Sequence, residues 1–153
     1  MKEKTEQKHI NPPMFFYISV GLALAFHFFF PAMEIVSPPY TYLGIVLIVL
    51  GIWLNIWADR LFKVNKTPVK PHEKPSSLIR DGPFHFSRNP MYLGMVLILL
   101  GIAIFLGTAS IFIPALFFFL IMELKFIPLE EKFMEEVFGE NFIEYRKRVR
   151  KWL

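Results

Sequence analysis

The chain has 153 residues, which is enough for one domain. Hydrophobic residues make up 54% of it and aromatic residues 17%, whereas a soluble domain is about 45–50% apolar with glycine counted, so we expect a membrane protein. Because there is no cysteine, disulfides, thiolate nucleophiles and cysteine-ligated metal sites are excluded. The net charge of +4 is less informative about the protein than the positions of the charges along the chain.

Four apolar segments follow one another along the chain, and a helix of about 20 residues suffices to cross a bilayer. We predict membrane spans over residues 14–33, 40–58, 91–108 and 111–128. The sequence GTAS at 107–110 makes the last two spans a tight hairpin. No small-residue cleavage site follows the first span, so we expect it to be retained. The predicted fold is all-α, a single integral-membrane bundle of about four helices over residues 1–153.

The positive charges all lie on one side of these spans. Three Lys precede the first span, seven Lys and Arg lie between the second and third spans, and seven lie at or beyond the end of the fourth. The connections at 34–39 and 107–110 contain none. The positive-inside bias therefore predicts a multi-pass protein of the cell membrane with both termini and the long middle loop in the cytoplasm.

Spans two and three resemble each other. YLGIVLIVLGI at 42–52 matches YLGMVLILLGI at 92–102 in 9 of 11 positions. Either an internal duplication or the chance likeness of Leu-rich helices explains this match. In both cases Gly44/Gly51 and Gly94/Gly101 are seven residues apart and share a helix face, where small residues let helices approach closely in lipid. We expect these faces to be buried in the bundle.

The chain after the fourth span is amphipathic. Its apolar residues recur at intervals of three and four, with a break near Gly139: Phe133, Val137, Phe138, Phe142, Tyr145, Val149 and Trp152. The basic end RKRVRKW suits an anionic lipid surface. We predict a C-terminal amphipathic helix at the membrane interface; a solvated tail helix is the alternative.

Asn89 and Pro90 form a good helix start, because Asn is a preferred N-cap and Pro is tolerated at the first helical position. The third span therefore begins at Pro90, and the positive end of its dipole lies beside Arg88. That end could hold an anionic group. Alternatively, Arg88 extends to lipid phosphates.

Carboxylates lie at the end of the fourth span. Glu130 and Glu131 could face Arg88 and Tyr92 across a small cleft, with Glu123 one to two turns earlier. They could equally be ordinary charges on a helix surface.

His27 lies deep in the predicted first span and is its least expected polar residue; an interhelical hydrogen bond is favoured there over a functional role. The remaining histidines, His9, His72 and His85, show no spacing typical of metal ligands, so no metal site is expected.

Two linked elements resemble a known superfamily. GPFHFSRNPMYLG at 82–94, a hydrophobic hairpin and LEEKFMEEVFGENFIEYRKRVRKWL at 129–153 are similar to the isoprenylcysteine carboxyl methyltransferases and phospholipid N-methyltransferases, small integral-membrane enzymes. The match covers residues 76–153, which would be the cofactor-binding part. It implies transfer of a methyl group from S-adenosylmethionine to a lipid-like or small hydrophobic acceptor at the cytoplasmic membrane face.

The resemblance also implies roles for individual residues. Leu78 and Ile79 would offer backbone to the adenine region, with Phe84 nearby. Four consecutive residues would line the pocket where the third span starts: Asn89, Pro90, Met91 and Tyr92. Glu130 would be the cofactor-side or catalytic carboxylate, and with Arg88 it is our catalytic candidate.

Two positions depart from the family pattern. Asn89 stands where the prenyl-protein enzymes have His, and Phe126 stands where an Arg proposed to meet the substrate carboxylate is often found. The second departure leaves a carboxylate acceptor unsupported.

Two other functions remain open from the sequence. An NADPH-dependent membrane reductase of related architecture would use Lys66, Lys70 and Lys74 for the 2′-phosphate. A non-catalytic membrane scaffold is the other. We expect membrane lipids and a hydrophobic acceptor as partners, and no nucleic acid; the sequence specifies neither the acceptor nor the oligomeric state.

Overall fold

The computed structural model describes residues 11–30, 32–68 and 75–153. This part of the chain is helical and contains no β-strand beyond one isolated bridge, which confirms the all-α prediction. The helices are α1 (Pro12–Phe29), α2 (Tyr42–Val64), α3 (Pro90–Leu106), α4 (Phe112–Ile121), α5 (Ile127–Phe138) and α6 (Glu140–Arg148). A π-helical turn, Met122–Phe126, joins α4 to α5.

The predicted spans correspond to these helices, with different ends. In the part of the chain that the structure describes, three helices are long and apolar enough to cross a membrane: α1, α2 and the continuous helix Ala109–Phe138 that contains α4 and α5. Helix α3, with 17 residues, is at the short end of the spanning range of about 17–25 residues. The fourth span continues past Pro128, where we predicted its end. The missing N–H of Pro128 removes a helical hydrogen bond, but the preceding π turn already departs from the regular ladder, so the helix is not ended there.

Helices α2 and α3 are packed closely through their glycine faces. All four glycines are buried, as expected. A Cβ atom on Gly51 would lie 2.5 Å from the carbonyl oxygen of Gly94, and one on Gly101 would lie 2.6 Å from that of Gly44. The helices are therefore antiparallel, and these positions exclude any side chain.

The largest buried cluster joins α3 to the long fourth helix. Its most buried large side chains include Leu99, Phe118 and Met122, each at most 1% exposed. Phe126 belongs to the same cluster, with its ring 5.5 Å from the Phe15 ring of α1. Large apolar side chains on the opposite faces of α1 and α2 are exposed, Tyr17 at 71% for example, as expected of surfaces that face lipid.

The two ends of the bundle differ, and we name them by their helix ends. The inner end carries the starts of α1 and α3 and the end of α2; the outer end carries the start of α4. At the outer end Gly107 adopts a φ of 75°, and its carbonyl oxygen accepts hydrogen bonds from the N–H groups of Ile35 (2.8 Å) and Val36 (3.1 Å). Gly107 begins the short connection between α3 and the fourth span, which is the predicted hairpin. His27 lies in the last turn of α1 at this end, not deep in the span, with Nδ1 3.5 Å from Thr108 Oγ1.

The C-terminal helix α6 folds back on the bundle after Gly139, whose φ of 54° breaks the helix as predicted. The apolar side of α6 contacts the protein itself: Phe142, Tyr145 and Val149 are buried. Its basic side chains face outwards, namely Arg146, Lys147, Arg148 and, just beyond the helix, Arg150.

Candidate active site

A cavity lies at the inner end of the bundle. Its volume of about 280 Å³ is near the lower limit of the roughly 300–1,000 Å³ found for small-molecule sites. The start of α1, the α2–α3 connection, the first turn of α3, and helices α5 and α6 form its walls. It brings together all nine residues selected from the sequence: Leu78, Ile79, Phe84, Arg88, Asn89, Pro90, Met91, Tyr92 and Glu130.

One wall of the cavity is apolar. Ile79 and Phe84 are 7% and 8% exposed and pack with Phe62 from the end of α2. The hydroxyl of Tyr145 donates a hydrogen bond to the carbonyl oxygen of Phe84 at 2.6 Å. Burial raises the pKa of Tyr145 above its usual range, so this hydroxyl stays protonated and keeps donating. A flat apolar ring would fit such a wall.

The opposite wall carries a carboxylate in a fixed orientation. Tyr92, on the first turn of α3, donates a hydrogen bond from its hydroxyl to Oε1 of Glu130, on the first turn of α5. Among the described residues, no donor contacts the second oxygen, Oε2. Glu130 can therefore keep its bond to Tyr92 and still accept a hydrogen bond, or face a positive charge, in the cavity.

The neighbouring carboxylate forms a separate ion pair. Arg88 contacts Oε1 of Glu131 through Nε (2.9 Å) and Nη2 (2.7 Å). Its Nη1 donates to the carbonyl oxygens of Val149 (2.5 Å) and Arg146 (3.2 Å). Four of the five guanidinium N–H donors are thus engaged, and the side chain is 9% exposed. Arg88 lines the cavity, but its main role is to join the residues just before α3, 87–89, to helices α5 and α6. We call residues 87–89 the α3 entrance.

The first turn of α3 opens towards the cavity. The helix begins at Pro90 as predicted, but Asn89 makes no side-chain cap. Its Nδ2 instead donates to the carbonyl oxygen of Lys151 at 3.1 Å. The unpaired N–H groups of a helix start carry partial positive charge, so this end of the cavity suits an anionic group.

Sequence reasoning missed several residues that line the cavity. They are Asn11, Pro12, Pro13, Phe62, Thr67, Pro68, Pro75, Ser77, Met95, Phe133, Met134, Phe142 and Tyr145, whereas Glu131, which also lines the cavity, was considered for a cleft with Arg88. Phe142 and Tyr145 were recognisable as one face of an amphipathic helix, but the pattern did not say which surface that face covers. Of the lysines considered for a 2′-phosphate, Lys66 is exposed, whereas Lys70 and Lys74 lie outside the described residues.

Two further sequence positions lie away from the cavity. Phe126 belongs to the buried core, so the position where an Arg was considered faces α1. Lys125 next to it is exposed. Within residues 11–30, 32–68 and 75–153, no group of three His, Asp or Glu is placed to hold a metal ion.

Comparisons with known proteins agree with this architecture. The profile of the phospholipid methyltransferase family matches residues 39–141. A Haemophilus influenzae relative, described as an uncharacterized protein, is 35% identical over 63 residues, which is 41% of this chain and the whole of the relative.

The same fold occurs in a solved membrane enzyme. The structure of the eukaryotic intramembrane Ras methyltransferase, isoprenylcysteine carboxyl methyltransferase, matches with a TM-score of 0.70 at 21% identity. The match covers all of this chain and 54% of that chain, so this protein spans about half the length of that enzyme. Because the family profile covers more than half of the chain, this protein belongs to the phospholipid methyltransferase family.

Proposed function

We propose that this protein transfers a methyl group from S-adenosylmethionine to a lipid-like or small hydrophobic acceptor at the cytoplasmic face of the membrane. The observation that carries the proposal is the inner-end cavity, in which an apolar wall faces a carboxylate whose orientation Tyr92 fixes. The family resemblance names these residues, and the cavity adds that they line one space.

The residues of the cavity fit the chemical groups of the cofactor. S-adenosylmethionine has an adenine ring, two positive groups and one carboxylate, and it supplies an activated methyl group when bound. Ile79 and Phe84 would pack on the ring. Glu130 would face a positive group, and the start of α3 suits the carboxylate.

The side chain of Glu130 would act in one of two ways. If the acceptor atom is protonated, its carboxylate accepts the proton; otherwise it stabilises positive charge in the transition state. Both roles need a defined carboxylate position, which the hydroxyl of Tyr92 provides. Arg88 would contribute through its one remaining N–H donor and by holding α5 against the α3 entrance.

The acceptor class follows from what surrounds the site. The position at which an Arg would meet a substrate carboxylate is Phe126, a core residue outside the cavity. The cavity is also lined by Met95 of α3 and by Pro12 and Pro13 at the start of α1, next to lipid-facing surface. An apolar acceptor that arrives from the bilayer suits this lining better than a water-soluble acid.

Calorimetric titration of the purified protein with S-adenosylhomocysteine tests the cofactor assignment. We expect binding by the wild type and about 10- to 100-fold weaker binding by Glu130→Gln, since a hydrogen bond to a charged group contributes about 1.5–3 kcal/mol. Glu136→Gln makes the same change on the exposed side of α5 and should bind like the wild type. Failure of the wild type to bind, or stabilisation by NADPH alone, overturns the proposal.

Single cysteines test the cytoplasmic location, because the chain has none of its own. We expect Lys66→Cys to react with an impermeant maleimide only in inside-out vesicles. Ser37→Cys, in the opposite connection, should react only in right-side-out vesicles. The reverse pattern would contradict the proposed orientation.

A further inference from the structure

Glu123 is a carboxylate within the long apolar helix Ala109–Phe138, a setting in which charged groups are costly unless they are used. It does not line the cavity. Both of its oxygens contact residues 149–153, which we call the C-terminal segment. Oε1 lies 2.6 Å from Lys151 Nζ, and Oε2 accepts a hydrogen bond from Trp152 Nε1 at 2.8 Å. The Trp152 ring also packs on Phe119, with the ring centres 5.0 Å apart.

The π turn explains why Glu123 and Glu130 serve different partners. They are seven residues apart, and a regular α-helix would place them on nearly the same face. Glu123 lies within the π turn Met122–Phe126, which changes the rotation between the two residues. Glu130 consequently faces Tyr92 and the cavity, whereas Glu123 faces the C-terminal segment.

The main chain of that segment is in turn bonded to the entrance of α3. The N–H of Arg88 donates to the carbonyl oxygen of Arg150 at 3.0 Å. The side chains of Asn89 (3.1 Å) and Ser87 (3.5 Å) both donate to the carbonyl oxygen of Lys151. Asn89 lines the cavity and directly precedes the turn that opens into it.

We propose that Glu123 is a positioning residue of the cavity, which it reaches through the C-terminal segment. By holding Lys151 and Trp152, it fixes the carbonyl groups that orient Arg88 and Asn89, and so fixes the first turn of α3 before a ligand binds. The ligand-binding part of this inference rests on the proposed function. The coupling of Glu123 to the α3 entrance does not, since it is a property of the ligand-free protein.

Hydrogen exchange on the ligand-free protein tests the coupling. We expect Glu123→Gln to speed exchange of the Arg88 amide, which donates to Arg150, and to leave the amide of Leu99 in the α3 core unchanged. Trp152→Phe, which keeps the ring on Phe119 but loses the indole N–H, should act in the same direction if Glu123→Gln does not fold. Glu136→Gln is the charge-matched control. An unchanged Arg88 amide in the folded variants overturns the inference.

Affinity for S-adenosylhomocysteine tests the consequence for the site. We expect Glu123→Gln to weaken binding about 10-fold without lowering the melting temperature more than the control does, since a first turn of α3 that is not fixed beforehand has to be ordered when the ligand binds. Wild-type affinity in Glu123→Gln overturns the positioning role. If the wild type itself does not bind, the proposed function fails, and hydrogen exchange alone then decides whether Glu123 is coupled to the α3 entrance.

Discussion

The two ends of the bundle are closed by different kinds of interaction. At the outer end, main-chain hydrogen bonds around Gly107 hold the connections together, and His27 and Thr108 make the one side-chain hydrogen bond among the described residues there. At the inner end, four carboxylates of one helix each have a partner from another segment: Glu123, Glu130, Glu131 and Glu135. Ionisable groups are costly near a bilayer unless they are used, so their concentration at the inner end supports the proposal that the chemistry takes place there.

Removing the Arg88–Glu131 pair should have the largest effect. Arg88→Gln leaves the Glu131 carboxylate, 16% exposed, without its charged partner and leaves two carbonyl oxygens of the C-terminal region without a donor. We expect a loss of about 3 kcal/mol, since breaking a buried ion pair leaves an uncompensated charge. Thermal unfolding in detergent measures it. Arg148→Gln, an exposed change in the same region, should leave the melting temperature unchanged; equal values for both variants would contradict the structural role of Arg88.

A substitution between the two ends should have an intermediate effect on stability. Gly101→Ala places a Cβ 2.6 Å from the Gly44 carbonyl oxygen, so α2 and α3 must separate, with an expected loss of about 1–3 kcal/mol. Gly21→Ala is the matched control, since a Cβ there meets nothing within 4 Å and alanine favours a helix. We expect Gly101→Ala to lower the melting temperature while the folded fraction keeps its ligand affinity. A stable Gly101→Ala variant would show that the helices are less tightly packed than described.

A substitution at the outer end should have the smallest effect on stability. His27→Ala removes one long side-chain contact, so we expect the stability to change by no more than about 0.5 kcal/mol. Ligand affinity should not change at all in His27→Ala. It should fall in Tyr92→Phe at the inner end, because that variant loses the hydrogen bond to Glu130. An effect of His27→Ala on affinity, measured by the same titration, would break the distinction between the ends.

Much of this architecture follows from local rules in the sequence. Hydrophobic length predicts the spans, and the Asn89–Pro90 pair predicts where α3 begins, because both depend on neighbouring residues only. Glycines at a spacing of seven predict the buried faces of α2 and α3. The family resemblance, not periodicity, selected eight of the nine residues that the cavity brings together; the ninth, Arg88, was selected by its position just before the start of α3.

The rest depends on contacts between distant segments, which leave no periodic signal. Nothing in the sequence near Glu123 indicates that its partners are Lys151 and Trp152, 28 and 29 residues away. The side chain of Asn89 is diverted from capping by a carbonyl oxygen 62 residues further along. The π turn is equally hidden, since its residues would also suit a regular helix, and without it the faces of the fourth span are assigned incorrectly.

The close pairing of α2 and α3 has two-fold symmetry. A Cβ on Gly51 would meet Gly94 and Ile98, and a Cβ on Gly101 would meet Gly44 and Ile48, so rotation by half a turn exchanges equivalent atoms. Such a self-complementary contact is the kind that joins identical subunits. Exchanging segments 42–52 and 92–102, which differ at two positions, should therefore leave the pairing intact. The rotation would exchange Asn55 with Phe105, and these two residues differ. Asn55 lies against Gly94 on the inner side, whereas Phe105 lies against Gly44 on the outer side. The asymmetry of the bundle therefore begins inside a nearly symmetric helix pair.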